Sequence, residues 1–224
     1  DMVRGDGGDD IIGGGSGDDL LVGDGADAAV FGASGTLGAQ GADTLYGGTG
    51  NDTLVGTSWD DDGDGAVEAA EIVLSASDSS NTLWAGDGDD FLYGGDARDT
   101  LGGGTGADQV KAYGGSDVVY GGKTSANDTL DGGTGSDLLF GGAGDDALLG
   151  GNGSDTLYGG DDDDSLNGGA VGDVLWGGAG DDTLTGGSGE DRFAFASGHG
   201  DDVVTDFDTT DDTLGFGGTN TDFT

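Results

Sequence analysis

The sequence predicts an all-β solenoid in which short parallel strands are wound into stacked coils. Over residues 132–194 the chain consists of seven consecutive nonapeptides, each with glycine at the first and second positions, aspartate at the sixth and a large apolar residue at the eighth. The 224 residues include 56 glycines and no proline. Fixed periodicity is typical of repeat architectures, and the absence of proline suits a ladder that needs its backbone N–H donors.

Each nonapeptide is expected to form one strand and one turn. Its first six residues are rich in glycine, which accepts the positive φ of a tight turn. Its last three residues are expected to form a three-residue strand, with the eighth residue pointing inward and the seventh and ninth outward. Two nonapeptides then complete a coil, and coils stack at about 4.8 Å.

The repeat frame divides the chain into four parts. It contains 17 nonapeptides in all, of which 16 have Asp at the sixth position. The expected parts are N-terminal coils at 1–55 with an out-of-frame insertion at 23–37, a second insertion at 56–75, the main solenoid at 76–194 and a closing cap at 195–224. A cap is expected because the last coil of a solenoid otherwise exposes apolar surface and an open sheet edge.

Composition excludes several classes of partner. The chain has 46 acidic and 5 basic residues and a formal net charge of −41. A charge of this size opposes binding to nucleic acid and to anionic membrane surfaces. No apolar run approaches the roughly 20 residues of a transmembrane helix. Such a charge normally predicts a disordered chain, so a regular fold requires something that cancels it.

The sixth-position carboxylates are predicted to bind calcium. Turns on one edge stack every second nonapeptide, so their carboxylates approach in pairs such as Asp137 with Asp155 and repel one another. A Ca²⁺ ion between successive turns would take these carboxylates together with backbone carbonyl oxygens, the hard ligands that it prefers. Zinc is disfavoured, because the chain has no cysteine and one histidine. The sixth-position ligands predicted in this way are Asp10, Asp19, Asp43, Asp52, Asp90, Asp99, Asp108, Asp117, Asp128, Asp137, Asp146, Asp155, Asp164, Asp173, Asp182 and Asp191.

The alternative is a solvated acidic surface, but acidic residues scattered over a surface would not recur at every ninth position of the sequence. Four of the 16 nonapeptides with Asp at the sixth position lack glycine at the fourth, which makes their turns less regular as calcium sites. The residues concerned are Ala97, Ala126, Asp162 and Val171.

The repeat resembles the calcium-binding nonapeptide of RTX proteins, G-G-x-G-x-D-x-U-x. The resemblance covers most of the chain and implies a right-handed parallel β-roll, an extracellular destination and export by a bacterial type I secretion system. Residues 191–214 also look like the segment that closes RTX rolls in secreted proteases. Asp202, Asp206 and Asp212 match acidic positions of that segment, and Asp202 joins the predicted calcium ligands.

The insertion at 56–75 contains a different motif. Residues 60–71 fit the twelve-residue EF-hand loop, with Gly65 at the turn. The predicted calcium ligands of this loop are Asp60, Asp62, Asp64, the carbonyl of Ala66, and Glu71. No full pair of flanking helices is evident, so an isolated calcium loop is expected; the alternative is a flexible acidic loop.

Outward ninth positions predict an aromatic stripe on one sheet. The residues are Trp84, Tyr120, Phe140, Tyr158 and Trp176, with Gly102 in line, while Val118, Leu138 and Val174 supply apolar seventh positions. In one interpretation the aromatics reflect strand propensity and the insertions cover them. In the other, the stripe is a contact surface for another subunit, a neighbouring domain or a sugar chain.

Three functions are compatible with these features. The first is a non-catalytic, calcium-dependent module for folding, stability and secretion; the second is the C-terminal non-catalytic module of a secreted enzyme such as a protease, lipase or polysaccharide-modifying enzyme. The third is an adhesin or surface-assembly protein. Neither H-E-x-x-H nor G-x-S-x-G occurs, and the one histidine is His199 in the cap, so catalysis within these residues is not expected.

Overall fold

The computed structural model describes residues 2–5, 10–16, 20–23, 44–49, 53–55, 58–59, 72–73 and 80–217. They form two ten-stranded parallel sheets and one two-stranded antiparallel pair. Among the described residues, no helix has the length and apolar character that a membrane span requires.

The strands are numbered in chain order. The first sheet contains β1 (Met2–Arg4), β3 (Leu20–Val22), β5 (Thr53–Val55), β9 (Phe91–Gly95), β11 (Gln109–Gly115), β13 (Thr129–Gly135), β15 (Ala147–Asn152), β17 (Ser165–Ala170), β19 (Thr183–Ser188) and β21 (Val203–Val204). The second sheet contains β2 (Ile11–Ser16), β4 (Thr44–Thr49), β8 (Thr82–Asp87), β10 (Thr100–Thr105), β12 (Val118–Gly122), β14 (Leu138–Ala143), β16 (Thr156–Asp161), β18 (Val174–Ala179), β20 (Arg192–Phe195) and β22 (Thr213–Phe216). The antiparallel pair consists of β6 (Ser58–Trp59) and β7 (Ile72–Val73).

The chain alternates between the two parallel sheets, so two nonapeptides complete one coil. Leu139 pairs with Leu157, and Leu157 with Leu175, in exact phase with the repeat. The predicted all-β parallel solenoid is therefore confirmed. Strand β4 lies 33 residues after its partner β2, and β9 lies 38 residues after β5. Paired residues one coil apart are ordinarily 18 residues apart in sequence. The two larger offsets exceed this value by 15 and 20 residues, which are the lengths of the segments 23–37 and 56–75.

The interior is a single row of apolar side chains in each sheet. All but two of the buried residues of this core come from eighth positions, which confirms the predicted inward orientation of that position, and the two others, Ala85 and Ala112, stand at first positions where most repeats have glycine. The row consists of Ile12, Leu21, Leu45, Leu54, Leu83, Leu92, Leu101, Val110, Val119, Leu130, Leu139, Leu148, Leu157, Leu166, Leu175, Leu184 and Phe193. A core this thin leaves a large part of the stability to the turns.

The prediction of three-residue strands is wrong. Most strands of the main solenoid have six residues, and β16 runs through Gly159 and Gly160 to Asp161. The first glycine continues the inward alternation, because it is buried beneath the aspartate of its own turn: a Cβ at Gly159 would collide with Oδ2 of Asp164. Glycine is therefore a packing requirement within the strand and not only a turn residue.

The turns place the second and fourth positions in the left-handed region. Gly142 and Gly144 have φ of 124° and 115°. Three other residue types occupy such positions in the described part of the chain, namely Tyr113, Asp162 and Val171, with φ of 72°, 78° and 77°. A left-handed conformation is strained for any residue with a Cβ, and most of all for a β-branched one.

Replacing Val171 by glycine is expected to stabilise the fold by about 1 kcal/mol, because the left-handed strain is removed. The Val171 side chain is 58% exposed, so little burial is lost. Urea unfolding in calcium measures the change. Ala97→Gly, also at a fourth position but without positive φ, is the matched control and should destabilise the fold by about 0.5–1 kcal/mol. Equal effects of the two substitutions would contradict the strain argument.

Candidate metal centres in the turns

The sixth-position aspartates form two buried columns, one along each edge of the solenoid. Turns that lead from the second sheet to the first constitute the first edge, and those that lead back constitute the second edge. The first column contains Asp90, Asp108, Asp128, Asp146, Asp164 and Asp182, and the second contains Asp99, Asp117, Asp137, Asp155, Asp173 and Asp191. All twelve are at most 3% exposed. Carboxylates are almost never buried to this degree unless a partner compensates their charge.

From Asp99 onward, one oxygen of each carboxylate accepts a hydrogen bond from the backbone of the preceding coil. The N–H of Asp137 donates to Oδ1 of Asp155 at 2.8 Å, and that of Asp146 donates to Oδ1 of Asp164 at 2.8 Å. The same bond recurs along both columns at 2.6–3.1 Å. These bonds fix the carboxylates at the spacing of the coils.

The second oxygen has no hydrogen-bond donor at eight of these aspartates, although it is buried. The residues are Asp108, Asp117, Asp137, Asp146, Asp155, Asp164, Asp173 and Asp182. A buried acceptor without a donor costs about 1–3 kcal/mol, and more when it is charged. Each of these oxygens therefore marks a place where a cation would be favourable.

Carbonyl oxygens surround the same places. The Oδ2 of Asp137 and the carbonyl oxygen of Gly150 both approach Gly132. At the second and fourth positions, carbonyl oxygens point along the axis at the glycine of the next coil, as that of Gly142 does towards Gly160. A donor set of carboxylate and carbonyl oxygens fits Ca²⁺. The sixth-position carboxylates and the turn carbonyls would hold the ion.

Burial raises the pKa of these carboxyl groups, and repulsion from neighbouring aspartates adds to the shift. Burial raises the pKa of Asp117 and Asp164 to about 8 and that of Asp108 and Asp173 to about 7. The backbone hydrogen bonds act in the opposite direction but do not offset burial. At neutral pH the metal-free turns therefore favour protonation or unfolding, whereas a divalent cation favours the charged form.

In the cap, Asp202 continues the first column and Asp212 continues the second, and other groups of the protein contact both carboxylates. Oδ1 of Asp202 accepts the N–H of Asp182, and its Oδ2 lies 2.9 Å from Nδ1 of His199. On the second edge, Asp212 accepts the N–H of Asp191 through Oδ1 and that of Asp208 through Oδ2. Asp202 thus lies in line with the predicted calcium ligands, but its second oxygen has a histidine beside it.

The cap also contains a contact that the repeat frame does not predict. Asp206 accepts the N–H groups of Gly186 and Gly187, one with each carboxylate oxygen. Sequence analysis connected Asp206 with the cap only through the resemblance. Its acceptor role has no signal in the nonapeptide phase, because residues 195–217 lie outside the repeat.

Sequence analysis missed an exposed column at fifth positions of the first edge. Oδ1 of Asp145 accepts the N–H of Asp163, and the same contact joins Asp163 to Asp181 and Asp181 to Asp201. On the second edge Ser116, Ser136 and Ser154 occupy fifth positions, and the N–H of Ser136 donates to Oγ of Ser116. Sorting fifth positions by edge, as was done for ninth positions, would have revealed this difference.

Of the remaining predicted ligands, one lies within the described residues and eight lie outside them. Asp10 is half-buried, and its Oδ2 and the carbonyl of Gly23 approach Gly5, as in the later coils. Asp19, Asp43, Asp52, Asp60, Asp62, Asp64, Ala66 and Glu71 lie outside the described residues. The segments beside the EF-hand-like loop are the paired strands β6 and β7.

Fold and turns together define a parallel β-roll of the calcium-binding type. The family model for the RTX calcium-binding nonapeptide repeat matches most of the chain, at residues 1–28, 37–64, 73–101, 93–123, 124–157, 143–173, 158–193 and 171–204. The chain therefore belongs to the RTX calcium-binding nonapeptide-repeat family. No curated protein matches it.

Without calcium, the stability of the roll should increase as the pH falls from about 8 to about 5. The raised pKa values mean that the folded chain binds more protons in this range than the unfolded chain, whose carboxyl groups titrate near 3.8. With calcium the trend should reverse, because protons compete for the same oxygens. Circular dichroism in EDTA and in calcium measures both trends, and a common sign would contradict the assignment.

Asp164→Asn should raise the calcium concentration needed for folding several-fold while stabilising the calcium-free roll by about 1–2 kcal/mol. The new amide would place a donor beside the carbonyl oxygen of Gly177, where Asp164 now has Oδ2. Asp163→Asn is the matched control, because it removes the same charge from an exposed neighbour. Calcium titrations of the two variants with identical midpoints would contradict a ligand role for Asp164.

Proposed function

We propose that the chain is a calcium-gated folding module without catalytic activity of its own, which operates outside the cell. The observation that supports this most directly is the pair of buried carboxylate columns whose second oxygens have no donor. Calcium, when bound, supplies the positive charge between successive turns. The chain supplies the oxygens, fixes their spacing through the backbone N–H bonds, and shields them with the adjoining glycines.

Folding should be cooperative along the roll. Each inner turn faces one turn above and one below, so a carboxylate column is completed only when adjacent coils are stacked. Stability in such arrays is a sum of repeat and nearest-neighbour contributions. Binding that is confined to the folded state therefore shifts the whole array at once.

A role in secretion and stability follows from this dependence on calcium. With a formal net charge of −41, the calcium-free chain repels itself and stays extended, which suits passage through a narrow export channel. In calcium-rich surroundings outside the cell the same chain folds and stabilises the protein that carries it. The exposed aromatic face of the second sheet supports a further role in surface assembly or adhesion.

Calcium should convert the chain from an expanded to a compact state. For 224 residues the radius of gyration is expected to fall from about 50 Å to about 20 Å. Small-angle X-ray scattering with circular dichroism, in EDTA, calcium and magnesium, measures this change. Magnesium is the control, since its strict octahedral preference suits these turns poorly. Equal compactness and β content in EDTA and in calcium would refute the proposal.

A further inference from the structure

The outer face of the second sheet carries one continuous aromatic ladder. Ring centroids are 6.0 Å apart between Trp84 and Tyr120, 5.1 Å between Tyr120 and Phe140, 5.0 Å between Phe140 and Tyr158, and 6.1 Å between Tyr158 and Trp176. The Trp84 ring also lies over Gly102, which bridges the one strand without an aromatic residue. Tyr46, on the strand before, is 50% exposed and pairs with Trp84. The ladder thus spans seven neighbouring strands.

This face is free of acidic side chains at its outward seventh and ninth positions. The residues at those positions, in pairs from β2 to β22, are Ile11, Gly13, Thr44, Tyr46, Thr82, Trp84, Thr100, Gly102, Val118, Tyr120, Leu138, Phe140, Thr156, Tyr158, Val174, Trp176, Arg192, Ala194, Thr213 and Gly215. The corresponding positions of the first sheet contain one acidic residue, Asp131, so the aromatic ladder rather than the lack of acidic side chains distinguishes the second sheet. Asp87 and Asp161 lie only at strand ends, where they would form a polar rim.

From these observations we infer that the second sheet is the interface of a homodimer, with the aromatic ladders of two copies packed face to face. The inference rests on the proposed function, because the face exists only when calcium has folded the roll. A second copy presents a sheet with the same strand spacing, so the two sheets match along their full length. A two-fold axis between β12 and β14, the middle strands, makes the contact self-complementary.

Charge favours this face over the acidic first edge of the described roll for contact between two copies. The first edge exposes the column from Asp145 to Asp201, whereas the first sheet carries Lys111 and Asp131 on paired strand positions and lacks the aromatic ladder. Two copies that meet through the second sheet bring no acidic side chains of its outward strand positions together. Like-charge contacts elsewhere would be repulsive.

The available area is sufficient for a stable dimer. Ten strands at about 4.8 Å, each about 20 Å long, give a face of about 900 Å². A standard interface buries about 800 Å² per partner.

The orientation of the rings favours a protein partner over a sugar chain. Tyr120, Phe140 and Tyr158 are stacked with interplanar angles of 6°. Their faces are turned towards one another, so their edges and the apolar seventh-position side chains form the outer surface. A sugar that packs on an aromatic side chain needs a free ring face, which the inner rungs of the ladder do not offer.

The test is to measure the molar mass by size-exclusion chromatography with light scattering, and the fold by circular dichroism, in calcium and in EDTA. The expected result is twice the chain mass in calcium. Tyr158→Asp should raise the dimer dissociation constant at least tenfold, whereas Leu149→Asp on the first sheet should leave it unchanged. The two residues are 36% and 40% exposed, so the substitutions are matched.

A crosslinking arm keeps the test decisive if Tyr158→Asp fails to fold. The chain contains no cysteine, so Leu138→Cys on β14 and Ala147→Cys on β15 each provide a single thiol. With a short bismaleimide, only Leu138→Cys should yield a crosslinked dimer, because it lies beside the two-fold axis.

Several results would overturn the homodimer. A folded chain that remains monomeric in calcium does so, as does a dimer that Leu149→Asp disrupts and Tyr158→Asp does not. A monomer that is retarded in polysaccharide gels through Tyr158 would identify a glycan surface instead. A monomer that Tyr158→Asp unfolds would show that this face is covered within the chain. An unchanged circular dichroism spectrum on addition of calcium would refute the proposed function itself.

Discussion

The structure depends on one unfavourable arrangement, the burial of like-charged carboxylates at strand spacing. From Asp99 onward, a backbone N–H of the preceding coil donates to one oxygen of each aspartate, and the other oxygen lies near carbonyl groups. No rearrangement of a parallel coil avoids this, because every coil repeats the same turn. The thin leucine interior and the high glycine content are both consistent with a fold whose stability is supplied at its edges by a cation.

The cap shows how the protein resolves the same problem where the repeat ends. Asp202 lies in the first column, yet its Oδ2 is beside His199, and Oδ2 of Asp212 accepts a backbone N–H. Asp206 binds two further N–H groups of the last turn. Donors from the chain thus take the place that a cation would occupy in the repeats. The end of the roll therefore differs from its middle in the groups that surround the stacked carboxylates.

The nine-residue phase predicted the coil, the buried eighth positions and the stacked sixth positions, because each follows from periodicity alone. Strand length was not predictable in this way. Glycine disfavours strands in general, but Gly159 extends β16 because only a residue without a Cβ fits beneath Asp164. The role of His199 also lay beyond prediction, since its contact with Asp202 depends on a cap without a repeat. Strand length and the contact of His199 both depend on contacts between coils, and the sequence of a single nonapeptide does not reveal such contacts.

The outward positions of the nonapeptide are where this roll differs from a bare calcium scaffold. Positions one, two, four, six and eight are constrained by close approach, left-handed φ, carboxylate placement and burial. Positions three, five, seven and nine are not, and alternation between sheets assigns each of them to a single face or edge. Asp145, Asp163 and Asp181 occupy fifth positions on the first edge, and Ser116, Ser136 and Ser154 do so on the second. Aromatic ninth positions other than Tyr93 lie on the second sheet. Because the frame tolerates any residue there, its folding does not explain this sorting. The stacking of five aromatic side chains along one face is best explained by contact with another surface.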